Sequence, residues 1–302
     1  MITRPITRPV TSPIARAVND AIGAWNPRAL FALGEQGVIY DPSDLSTLWQ
    51  DSAGTTPVTA AGQPVGLMLD KRLGLVRGAE ILTNGDFSQG AAGWTISGAD
   101  ATHIATFSGG TLRYQSGTTS PQLTVAASAG VATIGKAYEV TVVVSAHVSG
   151  GVKVFENTTG SVAIAGVGTF KGVIVASSAV LSITRTTANV DITIGSVSLR
   201  ELHGNHAVQP TASAKPFIRD TPRRIDYDAD DSLAVTFQAA LGSACTVARS
   251  IPGVGAQILT AQTIGTSFTD NVDNCGLIIV NRALNAAETA NLTRYLNQRA
   301  GV

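Results

Sequence analysis

The chain has 302 residues, 14% of them charged and 44% hydrophobic, with 31 glycines. That length allows two domains with separate cores, and a glycine-punctuated composition rich in Val, Thr, Ser and Ala predicts an all-β protein with one or two helices. Lys plus Arg and Asp plus Glu balance at 21 each, which leaves no excess basic charge for phosphates and excludes nucleic acid as an expected partner.

The opening MITRPITRPV lacks a long apolar core, and no window approaches the roughly 18 consecutive apolar residues of a membrane span, so a soluble protein made without a signal peptide is expected. Residues 1–36 read as an N-terminal arm and anchoring segment. Pro5, Pro9 and Pro13 recur every fourth position, which excludes helix and favours an extended or polyproline-like arm. Ile2, Ile6 and Val10 recur in step with them beside Arg4 and Arg8, the pattern of a strap laid along another subunit. A disordered N-terminus is the competing reading. A short helical turn is expected within 17–33, before Pro27.

From Gly37 brief apolar stretches alternate with Asp-Pro, Ala-Gly and Gly-Gln-Pro turns. Residues 79–202 form a second block of short β-branched runs bounded by Gly, Ser or Asn, which predicts a self-contained sandwich. The polar, turn-rich style resumes after 203, so 37–78 and 203–302 are expected to make one outer domain. Near the C-terminus Asn285 and Glu288 fit a capping box, Leu292, Tyr295 and Leu296 share one face, and Gly301 supplies the stop.

The segment GAEILTNGDFSQGAAGW at 78–94, with ITIGSVSLREL at 192–202, resembles the opening and closing strands of jelly-roll carbohydrate-binding modules. The resemblance implies that these two strands lie side by side. It also puts Asn84 and Asp86 where such modules often hold a structural calcium, although Gly195 replaces the usual acidic partner. The flanks, YDPSDLSTLWQDSAGTTPV at 40–58, LDK at 69–71, GNHAVQPTASAKP at 204–216 and the RIDYDADDSL stretch, resemble concanavalin-A-like, laminin-G-like domains of phage structural proteins. In those proteins an Asp-Lys-Ser-Gly-Asn-Gly-Asn-His stretch is usually continuous; here it breaks after Lys71 and resumes near Gly204 and His206. The expectation is two β-sandwich domains of jelly-roll type, one inserted in the other. The resemblance further implies a tailed-phage virion-surface protein made in the host bacterial cytoplasm. Its expected partners are the major capsid protein or tail proteins, further copies of itself as a homotrimer, and bacterial surface glycans. A head-decoration or minor capsid role is preferred over a tail-fibre, tail-tip or baseplate adhesin, because neither heptads nor β-helix repeats supply a shaft.

For chemistry, Asp226, Asp228 and Asp230, with Asp231, form the densest acidic cluster and suit calcium; an EF-hand is excluded because Phe237 occupies the twelfth position. An Asp-rich turn after a strand is the preferred alternative. Trp94 is expected in the core. Tyr114, Tyr138 and Phe155, with His103 nearby, are the candidate glycan-binding side chains. The carboxylates Glu139, Glu156 and Asp191 show no paired spacing, His203 and His206 read as loop residues, and the glycines of GGTLRY and GVGAQ read as turns. No catalytic residue and no cofactor other than calcium is expected; a glycan depolymerase is the remote alternative. Cys245 and Cys275 are expected as free thiols.

Overall fold

The computed structural model describes residues 25–155, 162–176 and 178–302, so the arm positions Ile2 to Pro13 and the carboxylate Glu156 lie outside the described residues. The chain is mostly β; among the described residues the strands pair antiparallel and there is one α-helix, near the C-terminus. No helix among the described residues is long and apolar enough to cross a membrane.

Two large sheets and the two-stranded hairpin Phe217–Arg219 with Arg224–Asp226 are built only from strands outside 77–202. In spatial order, the four-stranded sheet comprises Gly37–Tyr40, Leu277–Val280, Gly242–Ile251 and Gly255–Ile264. The five-stranded one comprises Leu48–Trp49, Leu67–Met68, Ala207–Val208, Leu233–Thr236 and Ser267–Asp270. Alternation along each strand decides what each face buries. Val38, Tyr40, Val247, Leu277 and Ile279 meet Leu48, Met68, Ala207 and Val235 in a core between the two sheets. The intervening Ile39, Ala248, Ile278 and Val280 face the other way, against Leu292 and Leu296 of the helix Ala286–Ala300 and against Leu30 and Phe31. Strands covered on both faces lose polar alternation, which is why GVIY and LIIV are continuous apolar runs.

The helix begins as its sequence predicts. Asn285 accepts from the Glu288 backbone amide, Glu288 returns a bond to the Asn285 amide, and Gly301 closes the end with φ 81° in the left-handed region. At the other end of the chain the outcome differs from expectation: Pro27 opens a 3-10 turn, Pro27–Phe31, capped by Asn26, instead of ending one. Its ring fixes φ and its missing N–H is no loss in a first turn.

The remaining two large sheets use only residues 77–202. A five-stranded sheet orders Val162–Ile164, Val152–Val154, Ser182–Arg185, Thr124–Ala127 and Trp94–Ser97. Its partner orders Gly168–Val175, Ala137–Ser149, Val190–Leu202, Thr111–Ser116 and His103–Ser108, with Arg77–Glu80 added alongside Val190–Leu202. The first and last strands of this unit therefore do lie together, with Glu80 opposite Arg200 and Arg77 opposite Leu202. One core drawn from both sheets, including Leu112, Val125, Val140, Val152, Ile183 and Ile192, fills the space between them.

A small apolar seam joins the two units. Trp49, Leu67 and Leu69, at the outer face of the five-stranded sheet that holds Leu48–Trp49 and Leu67–Met68, pack against Ala137, Val173 and Leu202. Gly54 sits here with φ 75°, and a Cβ added to it would lie 2.2 Å from the Val173 carbonyl oxygen, so only glycine permits this approach.

Candidate functional site

A cleft of about 410 Å³ lies at one rim of the 77–202 unit, walled by 115–119, by 189–191 and by Thr102 and Ser149. Three strands end there: Thr111–Ser116, Ala137–Ser149 and Val190–Leu202. Asp191 is the second residue of the last of these and is fixed by Arg113, whose Nε and Nη2 donate to its two oxygens at 2.9 and 2.7 Å. Gln115 adds a donor at 3.2 Å. The guanidinium holds the Asp191 carboxyl below the usual carboxylate range, against the opposing effect of partial burial. Behind the cleft, Arg185 donates to the Thr118 and Thr119 carbonyls at 3.3 and 2.9 Å and so fastens the 117–122 loop. Asp100 accepts from the Thr102 amide at 2.6 Å and faces His103 Nδ1 at 2.9 Å; the Thr102 amide, then His103, holds its carboxyl at about 2.

The junction between the two units is a second polar centre. Asp70 is fully buried and its carboxylate accepts from the backbone amides of Ile39, Arg72 and Asn205 at 2.9, 2.8 and 3.0 Å. Its own amide donates to Nδ1 of His206 at 3.0 Å, while His206 Nε2 lies 3.1 Å from the Leu202 carbonyl. These bonds fix a neutral His206 protonated on Nε2, and burial lowers its pKa further. Burial pushes the Asp70 carboxyl up, opposed by the three amides. Residues 135 apart in sequence thereby form one compact loop.

The residues singled out from sequence have different fates. Tyr114, Tyr138 and Phe155 are buried in the core of the 77–202 unit and present no ring face to a ligand. Tyr114 donates its hydroxyl to the Leu123 carbonyl at 2.5 Å, and Tyr138 oxygen accepts from the Thr133 amide at 2.7 Å. The expectation of a glycan platform from these three rings meets their burial: Tyr114 and Tyr138 take inward positions of their strands, and Phe155, at the bend after Val152–Val154 with φ 74°, is buried as well. Trp94 is a core residue, as expected, packed on Phe87 with centroids 5.3 Å apart.

At the Asn-Gly-Asp-Phe turn, Asn84 spends its side chain on the loop itself. Its amide donates to the Gly90 and Ala92 carbonyls at 2.8 Å each, and its oxygen accepts from Gln89 at 2.9 Å. Asp86 accepts from Ser88. Both residues organise the turn.

Asp226 is likewise taken, by Arg219 at 3.0 Å and Arg224 at 3.1 Å, and stands apart from Asp228 and Asp230, which are exposed on the following turn. Asp231 turns inward to accept from the Asp228 amide. Among the described residues no three His, Cys, Asp or Glu side chains converge as metal ligands. The geometry is that of the Asp-rich turn.

Glu139 pairs with Arg77 at 2.7 Å and Asp191 with Arg113. Asp191 lies opposite Ser149 and Glu139 opposite Arg200, at the two ends of the same strand pair. At a rise of ~3.3 Å per residue they are roughly 30 Å apart, too far to flank one glycosidic bond. His203 and His206 lie beside the junction, the first exposed and the second a structural acceptor. Cys245 and Cys275 are free and buried. Sequence reasoning did not reach Arg113, Thr118 or Asn189, because the cleft is assembled from separate loops and leaves no local spacing to read.

No protein-family model matches this chain, and no curated protein matches it.

Proposed function

We propose that this is a non-catalytic structural protein on the surface of a tailed-phage virion, a head-decoration or minor capsid protein in which a concanavalin-A/laminin-G-like body carries an inserted jelly-roll module. The observation that supports it best is the closed loop at Asp70, Asn205 and His206. A body motif interrupted after Lys71 and resumed at Gly204 needs its two halves close in space; the bonds of Asp70 to Asn205 and His206, and the pairing of Arg77–Glu80 with the end of Val190–Leu202, support that reading. Adjacent termini let such an insertion cost its host little. Within this reading, residues 1–36 anchor the chain to capsid or tail proteins, copies associate as a trimer, and the module faces outward. The commitment of Glu139 and Asp191 to arginines at opposite ends of one sheet favours this over a depolymerase.

The test is immunogold labelling of intact virions with an antibody against residues 79–202. Gold on the head supports decoration; gold at the tail end makes the protein a host-recognition adhesin; unlabelled particles from cells that contain the protein refute the reading.

A further inference from the structure

We infer that two copies of this chain join through the open edge of the body's four-stranded sheet, pairing antiparallel across a twofold axis at Leu259. This contact goes beyond the structural role proposed above and is separate from the threefold association: it ties a copy in one ring to a copy in the next.

The two edges of that sheet are finished differently. At Gly37–Tyr40 the outward groups are taken: the Ile39 amide donates to Asp70, the Ile39 carbonyl accepts from the Lys71 amide, and the Gly37 carbonyl accepts from Asn205. Gly255–Ile264 is the outermost strand at the opposite edge, and among the described residues no strand pairs with its open side. The direction of its backbone groups follows from its neighbour. Ser250 lies opposite Ala256 but exchanges its bonds with Cys275 and Gly276, and the Ala256 amide donates to Asn297 Oδ1 at 2.7 Å. Ala256 therefore points away from the sheet, and alternation sends the backbone groups of Ile258 and the Thr260 amide the same way. Asn297 closes the edge at Ala256, and a bulge with Ala261 at φ 53° ends it on the other side, which leaves 258–260 open. Within that stretch the Thr260 carbonyl accepts from the Gln262 side chain at 2.8 Å, a local bond that an incoming amide replaces.

The open stretch is complementary to itself. A twofold axis at Leu259 sets Ile258 of each copy opposite Thr260 of the other, and each such pair exchanges two N–H···O bonds. Leu259 meets its own counterpart at the close, non-hydrogen-bonded position, with Cα atoms about 4.5 Å apart. It is 38% exposed in the single chain, so the contact removes apolar surface from water. Free edges are usually blunted by charges or proline. Here residues 250–269 hold no Asp, Glu, Lys or Arg and the strand holds no proline, so no like charges face each other across the axis. Pairings of this length already occur within the chain, as between Val152–Val154 and Val162–Ile164. So short a contact covers far less than the roughly 1,200 Å² of stable interfaces. A dissociation constant of about 0.1–1 mM is expected, a strength that acts among copies gathered on a particle.

The test is disulfide trapping in the full-length chain. Leu259→Cys places a thiol against its own counterpart on the axis, at a separation that a disulfide spans. Val254→Cys, at the hairpin turn and 78% exposed, reports chance encounter, and the native thiols are buried. Under mild oxidation at ~0.5 mM chain, L259C should form the linked dimer at least ~10-fold faster than V254C. Leu259→Lys sets two ammonium groups face to face; it should keep the wild-type unfolding midpoint and lose the doubling of mass that sedimentation shows for wild type between ~10 μM and ~1 mM. The pairing is overturned if L259C dimerises no faster than V254C or if Leu259→Lys doubles in mass as wild type does. It is also overturned if trapping at 259 appears only once residues 1–16 are deleted, which would assign this edge to the chain's own arm. Labelled virions without a trapped dimer would leave the structural role standing; trapped dimers of a chain absent from virions would count against that role alone.

Discussion

Replacing Asp70 by alanine should unfold the body of this protein far more easily while sparing the 77–202 unit. The side chain is fully buried and accepts from three backbone amides that reach it from Ile39, Arg72 and Asn205. Truncation leaves all three donors unpaired in the interior, together with the Arg72 guanidinium, whose Nε lies 3.6 Å from Oδ2. An unsatisfied buried donor costs ~1–3 kcal/mol, and the desolvation that raises the Asp70 pKa is recovered when the carboxylate is removed. The net loss is therefore about 3–5 kcal/mol, the range for breaking a buried charged contact. With a urea m-value of ~2 kcal/mol/M, the body's midpoint should fall by ~2 M. Urea titrations followed by exchange protection of Ile279 and Val247, in the body core, and of Val140 and Ile192, in the other core, separate the two units. D70N, which keeps one acceptor oxygen, should lie between. A D70A protein within about 0.5 kcal/mol of wild type, the usual scatter of surface changes, would refute the view that this carboxylate closes the loop.

Further outcomes follow from the same reasoning. N84D exchanges the amide that donates to Gly90 and Ala92 for a second acceptor, and should destabilise the 77–202 unit by ~2–4 kcal/mol in thermal unfolding. His206 is neutral and its folded pKa is lowered, chiefly by burial, so the unfolded chain takes up its proton first as pH falls. Stability from this group is fully present above the unfolded value of about 6.5 and declines towards the lower folded value; urea midpoints measured from pH 7.5 to 5 should show this slope, and H206Q should flatten it. In G54A the new methyl group would meet the Val173 carbonyl at a positive φ, so the seam should open and protease sensitivity at 51–56 should rise. Cys245 and Cys275, buried with raised thiol pKa values, should not react with a thiol reagent until the chain is unfolded, then react with two equivalents.

Where local rules act, the sequence was readable. The helix declared both its ends through Asn285, Glu288 and Gly301, because a cap needs only residues a few positions apart. The inward tyrosines were also written in the pattern: in TLRYQS, Leu112, Tyr114 and Ser116 alternate with outward Arg113 and Gln115, and in AYEVTVVV Tyr138 keeps step with Val140, Val142 and Val144. Weighing these aromatics as exposed platforms set ligand chemistry above period-2 alternation. Asp226 shows the opposite limit. Its calcium-like company in sequence says nothing of Arg219, which reaches it only across the hairpin Phe217–Arg219 with Arg224–Asp226. The rim cleft was out of reach altogether, since positions 102, 115–119, 149 and 189–191 meet only once both sheets are formed.

We propose that residues 77–202 are a complete folding unit set into a loop of the body. It is tested most directly by expressing that segment alone and comparing its amide NMR spectrum with that of the full chain. A dispersed spectrum is expected, in which core positions such as Leu112, Val125 and Ile183 superimpose on the full-length signals, while Ala137 and Val173, which lose the Trp49 and Leu67 seam, shift. A collapsed spectrum, or core signals that match nowhere, would contradict it.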